Sequence, residues 1–414
     1  MRSKITYRLG AMALAVAFFA TSCTQESDLQ QEPDTQQATE TFSEPIPGQY
    51  IVVYKDQTNK SQGDYQKSQA VAMDMTKRLL TSNGITSGKV LQVYSAAING
   101  ATLILSEADV EKLRGNKEID YIEQDRVVAL APPCGTPNGG PCPPPDEGDG
   151  GGGDDGSSSQ ETPYGIVRVN GVGSYTGSNV AWVLDTGIDL DHPDLNVNAS
   201  RGFNAFTSGK DGGSMDDGNG HGSHVAGTIA ALNNNFGVVG VAPGATVIPV
   251  KVLNHRGSGS YSGIIAGVDH VAANGSSGDV ANLSLGGPAS SALDNAVKNA
   301  ASKGIKFALA AGNESQDANN VSPARVNGNN IFTISAVDSN DKWASFSNFG
   351  NPPVDYAAPG VSVLSTYKNG GYASISGTSM ASPHAAGVLL LGNASSDGTA
   401  NGDPDGNADP IIVH

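Results

Sequence analysis

The stretch that decides the fold is Val180-Ala-Trp-Val-Leu-Asp185, an uninterrupted apolar run that ends in a carboxylate. Four further runs of the same kind follow along the chain, at residues 246–252, 280–283, 305–310 and 331–337. Strands that are covered on both faces need such continuous apolar sequence, as in parallel sheets. Because helical stretches separate the runs, we expect residues 163–414 to form an α/β fold, with a mostly parallel sheet and helices on both faces.

The charge balance limits the partners. The 414 residues carry 24 Lys and Arg against 41 Asp and Glu, a formal net charge of −17. A nucleic-acid partner needs a basic surface, so we expect none. No apolar run approaches the roughly 20 residues that cross a bilayer, so we expect no membrane-spanning segment. The length allows two or three compact units.

The N-terminus has the layout of an export signal. Basic residues precede an apolar stretch at residues 9–20, and a run of small residues then reaches Cys23. Cys23 is either a lipoprotein acceptor, followed by a polar tether at 24–47, or an incidental residue of a cleaved secretory peptide. Residues 1–23 therefore predict a protein that is secreted, or that is held at the cell surface or outer membrane by a lipid.

Residues 48–130 have the pattern of a small α+β domain. Strand-like and helix-like segments alternate in the order β-α-β-β-α-β, which is the ferredoxin-like, split βαβ plan. About 80 residues bury only a small core, so we expect this domain to need a partner for stability.

Residues 131–162 read as a linker. They are rich in Pro, Gly, Ser and acidic residues, and such a composition cannot bury enough apolar surface to fold. The linker contains Cys134 and Cys142, which either close a small disulfide loop in an oxidising compartment or remain free thiols.

Three residues in the remaining sequence supply the parts of a nucleophilic site. Asp185 ends the first apolar run, His221 begins a helix after a Gly-rich turn, and Ser379 begins an apolar helix. Taken singly, Asp185 and Ser379 are explained as capping residues, and His221 with His224 as a metal pair. Zinc ligands on one helix usually lie four residues apart rather than three, which disfavours the metal. Together the three are an acid, a base and a nucleophile.

A fourth side chain has the right chemistry to assist. Asn313 follows the run at 305–310, so its amide could stabilise an oxyanion together with the backbone N–H of Ser379. In isolation Asn313 would be read as a turn residue. The order Asp, His, Ser differs from that of the α/β-hydrolases, which disfavours a lipase or esterase. A non-catalytic binding protein would not need all four groups.

The motifs around these residues resemble those of the subtilisin-like serine proteases, and in particular the proteinase K-like secreted branch. The resemblance rests on residues 183–188, 221–227, 284–287, 311–313 and 377–384. It implies a self-processing zymogen of a serine endopeptidase, in which Ser379 attacks the peptide bond, His221 acts as base and Asp185 orients His221. Residues 48–130 are similar to the inhibitory propeptide of that family.

The resemblance also implies how protein or peptide substrates bind. Two backbone edges would hold a peptide as an added strand; they are formed by Gly257, Ser258 and Gly259, and by Ser284, Leu285 and Gly286. A small apolar pocket between 285–287 and 310–312 predicts large apolar residues before the cut, and Tyr261 would cover a second apolar pocket.

A structural Ca²⁺ is implied in the same way. Asp355 matches a carboxylate ligand, with the backbone carbonyls of Asn329 and Ile331 completing the site. A metal-free, hydrogen-bonded Asp355 is the alternative. Two features depart from the family pattern: Ser223 replaces the usual Thr, and 35 residues follow Ser379, fewer than usual. Terminal helices are therefore expected to be missing, and the sheet edge must be protected otherwise. We expect a monomer.

Overall fold

The structure, a computed structural model, describes residues 43–55, 64–130, 159–392 and 394–414. The export signal, Cys23, most of the tether, Cys134 and Cys142 lie outside these residues. All described residues belong to one compact unit, Thr41–His414.

The first part of this unit has the predicted β-α-β-β-α-β order. Its four strands form an antiparallel sheet in the order β2-β3-β1-β4, which packs against the two helices around an apolar core. The elements are β1 (Pro45–Tyr54), α1 (Tyr65–Ser82), β2 (Lys89–Tyr94), β3 (Gly100–Ile104), α2 (Glu107–Leu113) and β4 (Ile119–Ala129). Asp64 and Ser106 cap the two helices with side-chain hydrogen bonds.

The second part alternates strands and helices. In chain order its elements are α3 (Tyr164–Arg168), β5 (Ala181–Asp185), β6 (Phe203–Asn204), α4 (His221–Ala230), β7 (Val247–Lys251), β8 (Ser258–Ser260), α5 (Tyr261–Asn274), β9 (Val280–Leu283), β10 (Gly287–Pro288), α6 (Ser291–Ala301), β11 (Lys306–Ala310), β12 (Val321–Ser322), β13 (Ile331–Val337), β14 (Val354–Pro359), β15 (Val363–Tyr367), β16 (Gly371–Ile375), α7 (Thr378–Leu391), β17 (Ser395–Thr399) and β18 (Pro410–Val413). Short 3₁₀ turns lie at Ala199–Arg201 and Ala318–Asn320.

A nine-stranded sheet organises this part, in the order β17-β18-β14-β13-β11-β9-β5-β7-β6. All its pairings are parallel except that of the edge strand β17. Trp182 and Leu184 of β5 pack with α5 and α6, whereas Ala181 and Val183 pack with α4 and α7. Alternate side chains of one strand are thus buried on opposite faces, which confirms the predicted α/β fold.

A hairpin covers the outer side of β14. Strand β18 pairs parallel with β14, and β17 turns back antiparallel on β18. Arg168 ties this hairpin to the start of the domain, because it binds Asp341 over 2.7 and 3.0 Å and the Asp397 carbonyl over 2.7 Å. The hairpin thereby covers the edge of β14 with backbone hydrogen bonds. Among the described residues, no helix has the length and apolar character needed to cross a membrane.

Candidate active site

Asp185 lies at the carboxyl end of β5, an interior strand of the sheet, and is completely buried. Its Oδ1 accepts a hydrogen bond from the Thr186 N–H over 2.7 Å and lies 2.8 Å from Nδ1 of His221. A buried carboxylate is costly unless it is paired, and His221 is the partner. This contact joins two of the residues that the sequence predicted to act together.

The loop before α4 places His221 through one buried carboxylate, Asp217. Its Oδ1 accepts the N–H groups of Asn219 and Gly220 over 2.9 and 2.8 Å. Its Oδ2 accepts the N–H and the hydroxyl of Ser223 over 2.8 and 2.7 Å. A carboxylate is favoured at a helix N-terminus because N–H groups there lack intrahelical partners. Asp217 thus fixes the first turn of α4, which begins with His221.

Strand β5 and helix α4 are also joined through Thr186. Its hydroxyl donates to Asp217 over 2.8 Å and accepts the Gly222 N–H over 3.0 Å. A Cβ on Gly222 would lie 2.0 Å from the Gly187 carbonyl oxygen and 3.1 Å from Asp185 Cβ. Gly222 therefore allows the close approach that brings the His221 ring to Asp185.

The environment of His221 favours its charged form. Burial of the ring acts to lower its pKa, but the charge and hydrogen bond of Asp185 and the charge of Asp217 act in the opposite direction. The net effect raises the pKa of His221 above its ordinary value. Nε2 of His224, one turn later, donates to the Val363 carbonyl over 2.8 Å, and burial lowers the pKa of His224 to about 3. His224 is therefore a packed, neutral core residue.

Ser379 is the second residue of α7 and is buried. Its hydroxyl donates to the Ser284 carbonyl over 3.2 Å. Ser284 follows β9, the neighbour of β5, and the register pairs Val183 with Asn282. Asp185 and Ser284 therefore end adjacent strands, which lie about 4.8 Å apart. His221 is bonded to one of these strand ends and Ser379 to the other.

Asn313 follows β11, and the amide oxygen of its side chain binds the start of α7. Oδ1 accepts the Thr378 N–H over 2.8 Å and the Thr378 hydroxyl over 2.9 Å. The Nδ2 group consequently points away from Thr378. A Cβ on Gly377 would lie 3.6 Å from Asn313 Nδ2 and 3.7 Å from the Ser379 nitrogen. Both nitrogens therefore border the same small space.

One of the two predicted substrate edges is occupied in the structure by strand β4. Val127, Val128 and Ala129 pair antiparallel with Ser260, Gly259 and Ser258. The Leu130 N–H then donates to the Gly257 carbonyl over 2.9 Å. The structure thus brings Gly257, Ser258 and Gly259 together as a strand edge that accepts an added strand.

A cavity of about 530 Å³ opens beside this strand. Gly286, of the other predicted edge, lines it together with Asn313, whereas Ser284 binds Ser379 directly. The lining residues are Ala129, Gly286, Gly287, Pro288, Asn313, Glu314, Gln316, Asn320 and Val321. Of the walls that the sequence predicted for a small apolar pocket, Gly286 and Gly287 line this cavity and residues 310–312 do not. The cavity also carries four polar side chains. Tyr261 lies nearby, completely buried, and its hydroxyl donates to the Pro288 carbonyl.

Carboxylates of β4 bind the N-termini of the two helices behind this edge. Glu123 accepts the Ala292 N–H at the start of α6 over 3.2 Å, and Asp125 accepts the Ser262 N–H at the start of α5 over 3.1 Å. Each negative charge meets the positive end of a helix dipole. The two residues lie two positions apart, on the same face of β4, so both hold the strand against α5 and α6.

The interface is reciprocal, because a carboxylate of α5 binds the other part of the chain. Asp269 accepts the N–H groups of Ser95, Ala96 and Ala97, at 2.7 to 3.1 Å. The Tyr65 hydroxyl donates to the same carboxylate over 3.0 Å. These contacts join the turn after β2 to the middle of α5.

Asp355, the carboxylate that the resemblance implied as a calcium ligand, is hydrogen-bonded to the backbone. Its Oδ2 accepts the Thr333 N–H over 2.9 Å, which places it beside the segment that contains Asn329 and Ile331. Between them, the Asn330 carbonyl accepts the Phe307 N–H over 2.7 Å and belongs to the sheet. Burial raises the pKa of Asp355 to about 6.

A second oxygen-rich site was missed by the sequence reasoning. The Gln160 amide nitrogen lies 2.7 Å from the Leu232 carbonyl, 3.2 Å from the Val238 carbonyl and 3.4 Å from Asn234 Oδ1. The buried Asp194 carboxylate borders the same turn, 2.6 Å from Asn234 Nδ2, and burial raises its pKa. Backbone carbonyls leave no residue-type signature; the Asn-rich turn at 233–235 was the available signal.

Comparison with known proteins agrees with this geometry. The subtilase family model matches residues 177–398, and the peptidase inhibitor I9 model matches residues 49–131. An alkaline serine exoprotease A from Vibrio alginolyticus is 38% identical over 378 residues, which cover 88% of this chain and 64% of that protein. An extracellular serine proteinase from a Thermus strain is 37% identical over 359 residues, covering 84% and 80%.

A solved structure shows the same likeness. It is titled as the crystal structure of a cold adapted subtilisin-like serine proteinase, and it is 37% identical with a TM-score of 0.53. The match covers 60% of this chain and 96% of that one. With the family model matching more than half of the chain, this protein belongs to the subtilase family of serine proteases and carries an N-terminal peptidase inhibitor I9 domain.

Proposed function

We propose that the chain is a serine endopeptidase whose catalytic residues are Asp185, His221 and Ser379. The observation that carries this proposal is the 2.8 Å contact of His221 with Asp185 at the end of β5. The neighbouring strand β9 is followed by Ser284, whose carbonyl accepts the Ser379 hydroxyl. A serine hydroxyl is a weak nucleophile until a base removes its proton, and the base needs an acid that holds its tautomer. Asp185 accepts from Nδ1, which leaves Nε2 of His221 to act as the base.

The reaction then follows from the roles of these groups. Ser379 Oγ attacks the carbonyl carbon of the peptide bond while Nε2 of His221 takes its proton. The oxyanion is stabilised by Asn313 Nδ2 and the Ser379 N–H, the two nitrogens that border one space. His221 passes the proton to the leaving amine as the C–N bond breaks. Water then attacks the acyl carbon while His221 takes its proton, and His221 returns that proton to Ser379 Oγ as the ester bond breaks and the carboxylic acid leaves. The substrate lies as an added strand along Gly257–Gly259 and Ser284–Gly286.

The chain is made as an inhibited precursor in this proposal. Strand β4 covers the edge that a substrate would use, so residues 48–130 act as the inhibitor and 163–414 as the protease domain. Cleavage within the predicted linker 131–162 would release the inhibitor. The cavity with Glu314, Gln316 and Asn320 supports acceptance of polar as well as apolar side chains before the cut.

A structural calcium ion is part of the proposal. Among the described residues no group of three or more His, Cys, Asp or Glu side chains could hold a metal, so carbonyl and amide oxygens must supply most ligands. This donor set is present around the Gln160 amide, where the Leu232 and Val238 carbonyls and Asn234 Oδ1 converge. Rotation of the amide would direct the Gln160 oxygen to the same point, and Asp194 would add a carboxylate. A bound Ca²⁺ would add stability there. The site formed by Asp355, Asn329 and Ile331 fits calcium less well. The Asp355 carboxylate accepts the Thr333 N–H, and that hydrogen bond uses one of its oxygens.

Export completes the proposal. The signal-like residues 1–23 and the extracellular relative support a protein that acts outside the cytoplasm. Lipid attachment at Cys23 would hold the precursor at the cell surface, and cleavage in the linker would separate the protease domain from the anchor. We expect a monomer. Intact mass of the unprocessed Ser379→Ala form, which retains Cys23, would test the anchor, because a diacylglyceryl mass on Cys23 distinguishes an anchored from a secreted form. N-terminal sequencing of the matured protein locates the cut.

The catalytic proposal is tested with a fluorophosphonate probe and casein. We expect the processed wild type to be labelled on Ser379 and to digest casein, and Ser379→Ala to do neither while remaining unprocessed. Labelling on another serine, or equal casein digestion by Ser379→Ala, would contradict the proposal.

A further inference from the structure

The backbone carbonyl of Ser379 lacks the partner that a helix normally provides. In an α-helix the carbonyl of residue i accepts the N–H of residue i+4. For Ser379 that residue is Pro383, which lies inside α7 and has no N–H. Ser379 is buried, so its carbonyl would be an unsatisfied acceptor next to the nucleophilic hydroxyl.

Ser284 supplies the missing donor. Its hydroxyl donates to the Ser379 carbonyl over 2.8 Å, and the Ser379 hydroxyl donates to the Ser284 carbonyl over 3.2 Å. The two serines are thus bonded in both directions. Because Ser284 also begins the predicted edge Ser284–Gly286, these bonds connect the nucleophile to the strand that would hold the substrate.

The orientation of the Ser284 hydroxyl is set by a third residue. Asn282 Nδ2 donates to Ser284 Oγ over 2.8 Å, and Asn282 Oδ1 accepts the Ser382 hydroxyl over 2.8 Å. All three side chains are completely buried. Since Nδ2 occupies a lone pair of Ser284 Oγ, the hydroxyl proton is directed to the Ser379 carbonyl. Ser382 lies on α7, so the chain of hydrogen bonds begins and ends on the helix of the nucleophile.

We propose that Asn282, Ser284 and Ser382 form a positioning unit for Ser379, which we name the Asn282 network. Asn313 holds the residue before Ser379 through the Thr378 N–H, and the Asn282 network holds the carbonyl after it. Ser379 is therefore fixed on both sides, and its Oγ is bonded to the Ser284 carbonyl at the start of the predicted substrate edge. The side chains of the Asn282 network act on Ser379 through its backbone carbonyl, and their hydrogen bonds do not include Ser379 Oγ. This inference rests on the proposed protease function.

The experiment uses the full chain and its self-processed product. Ser284→Ala removes the donor to the Ser379 carbonyl, and Asn282→Asp replaces the amide donor with an acceptor that turns the Ser284 hydroxyl away. We expect kcat on a peptide ester to fall about 10- to 100-fold in both, with KM changed less than about 3-fold. Ser382→Ala should lose less, and Ser382→Thr, which keeps the hydroxyl, should restore kcat.

A matched control separates positioning from general destabilisation. Thr333→Val also deletes one buried hydroxyl that donates to a backbone carbonyl, that of Ala324 over 2.7 Å. Its thermal midpoint should fall about as far as that of Ser284→Ala while its kcat is retained. If Ser284→Ala and Ser382→Ala lose no more kcat than Thr333→Val, or lose it through KM alone, the inference is overturned.

Misfolding and failure of the underlying function give different results. If Asn282→Asp does not fold, the Ser382→Ala and Ser382→Thr pair carries the test, because both substitutions are small and lie at the far end of the Asn282 network. If the wild type itself is not labelled by a fluorophosphonate, the proposed protease function fails first. Active wild type with unchanged variants contradicts the positioning role alone.

Discussion

Asp217 raises the pKa of His221 through its charge, while its own carboxylate oxygens bind the backbone that carries the ring. It therefore has two effects on the proposed base. It holds the first turn of α4 in place, and it stabilises the protonated imidazole that forms during the reaction. The second effect can be measured separately, because it depends on pH.

Asp217→Asn should move the acidic limb of the kcat/KM profile to lower pH. The negative charge of Asp217 favours the protonated ring, so its removal lowers the pKa of His221, and the neutral ring that acts as base persists in more acidic solution. The measurement is the pH dependence of kcat/KM on a peptide ester. Asp216→Asn, one residue away and bonded to the Leu190 N–H, is the control. An unchanged or alkaline-shifted limb would contradict this assignment.

Asn313→Ala should lower kcat and leave KM nearly unchanged. Its Nδ2 is expected to bind the oxyanion, which exists in the transition state and not in the bound substrate. The expected loss is about 10²–10³-fold, the range already known for removal of such a donor in a subtilisin. Steady-state kinetics give both constants. A loss that appears entirely in KM would show that Asn313 binds substrate instead.

Asp125→Asn should weaken the hold of the N-terminal domain on the protease domain. The neutral amide keeps the shape of the side chain but loses the charge that faces the N-terminus of α5. We expect the processed chain to release active enzyme about 10-fold faster. The measurement is active-site titration at successive times after processing. Asp120→Asn, on the same strand but exposed, is the matched control and should behave as the wild type. Equal release from both variants would place the binding energy elsewhere.

Removal of calcium should lower the thermal midpoint of the wild type. The ion would hold the carbonyls of the 232–238 turn near Asp194, and a ligand that binds the folded state alone stabilises it. Asp194→Asn removes the one carboxylate of this site, so we expect its midpoint to be the same with calcium and with EDTA. Asp355→Asn should still respond to EDTA. All midpoints are measured in the inactive Ser379→Ala background, which avoids self-digestion. If Ser379→Ala with no further substitution has a midpoint that is insensitive to EDTA, the site is contradicted.

The α/β architecture followed from the sequence because its signals are local. Buried parallel strands require continuous apolar runs, and the runs that end at Asp185 and Ala310 became β5 and β11 almost residue for residue. The residue types at the strand ends and helix starts likewise identified Asp185, His221, Ser379 and Asn313 as a set. The roles of these four residues remain predictions that the experiments above address.

What the tertiary structure alone decided were relationships between segments that are distant along the chain. The Asn282 network joins residues about 100 positions apart, and its cause, the missing N–H of Pro383, matters because Ser284 lies opposite it. The Asp194 site and the contacts of Asp125 and Asp269 are made largely with backbone N–H and carbonyl groups. Such groups are the same in every residue, so no sequence pattern marks them, and only the folded chain brings them together.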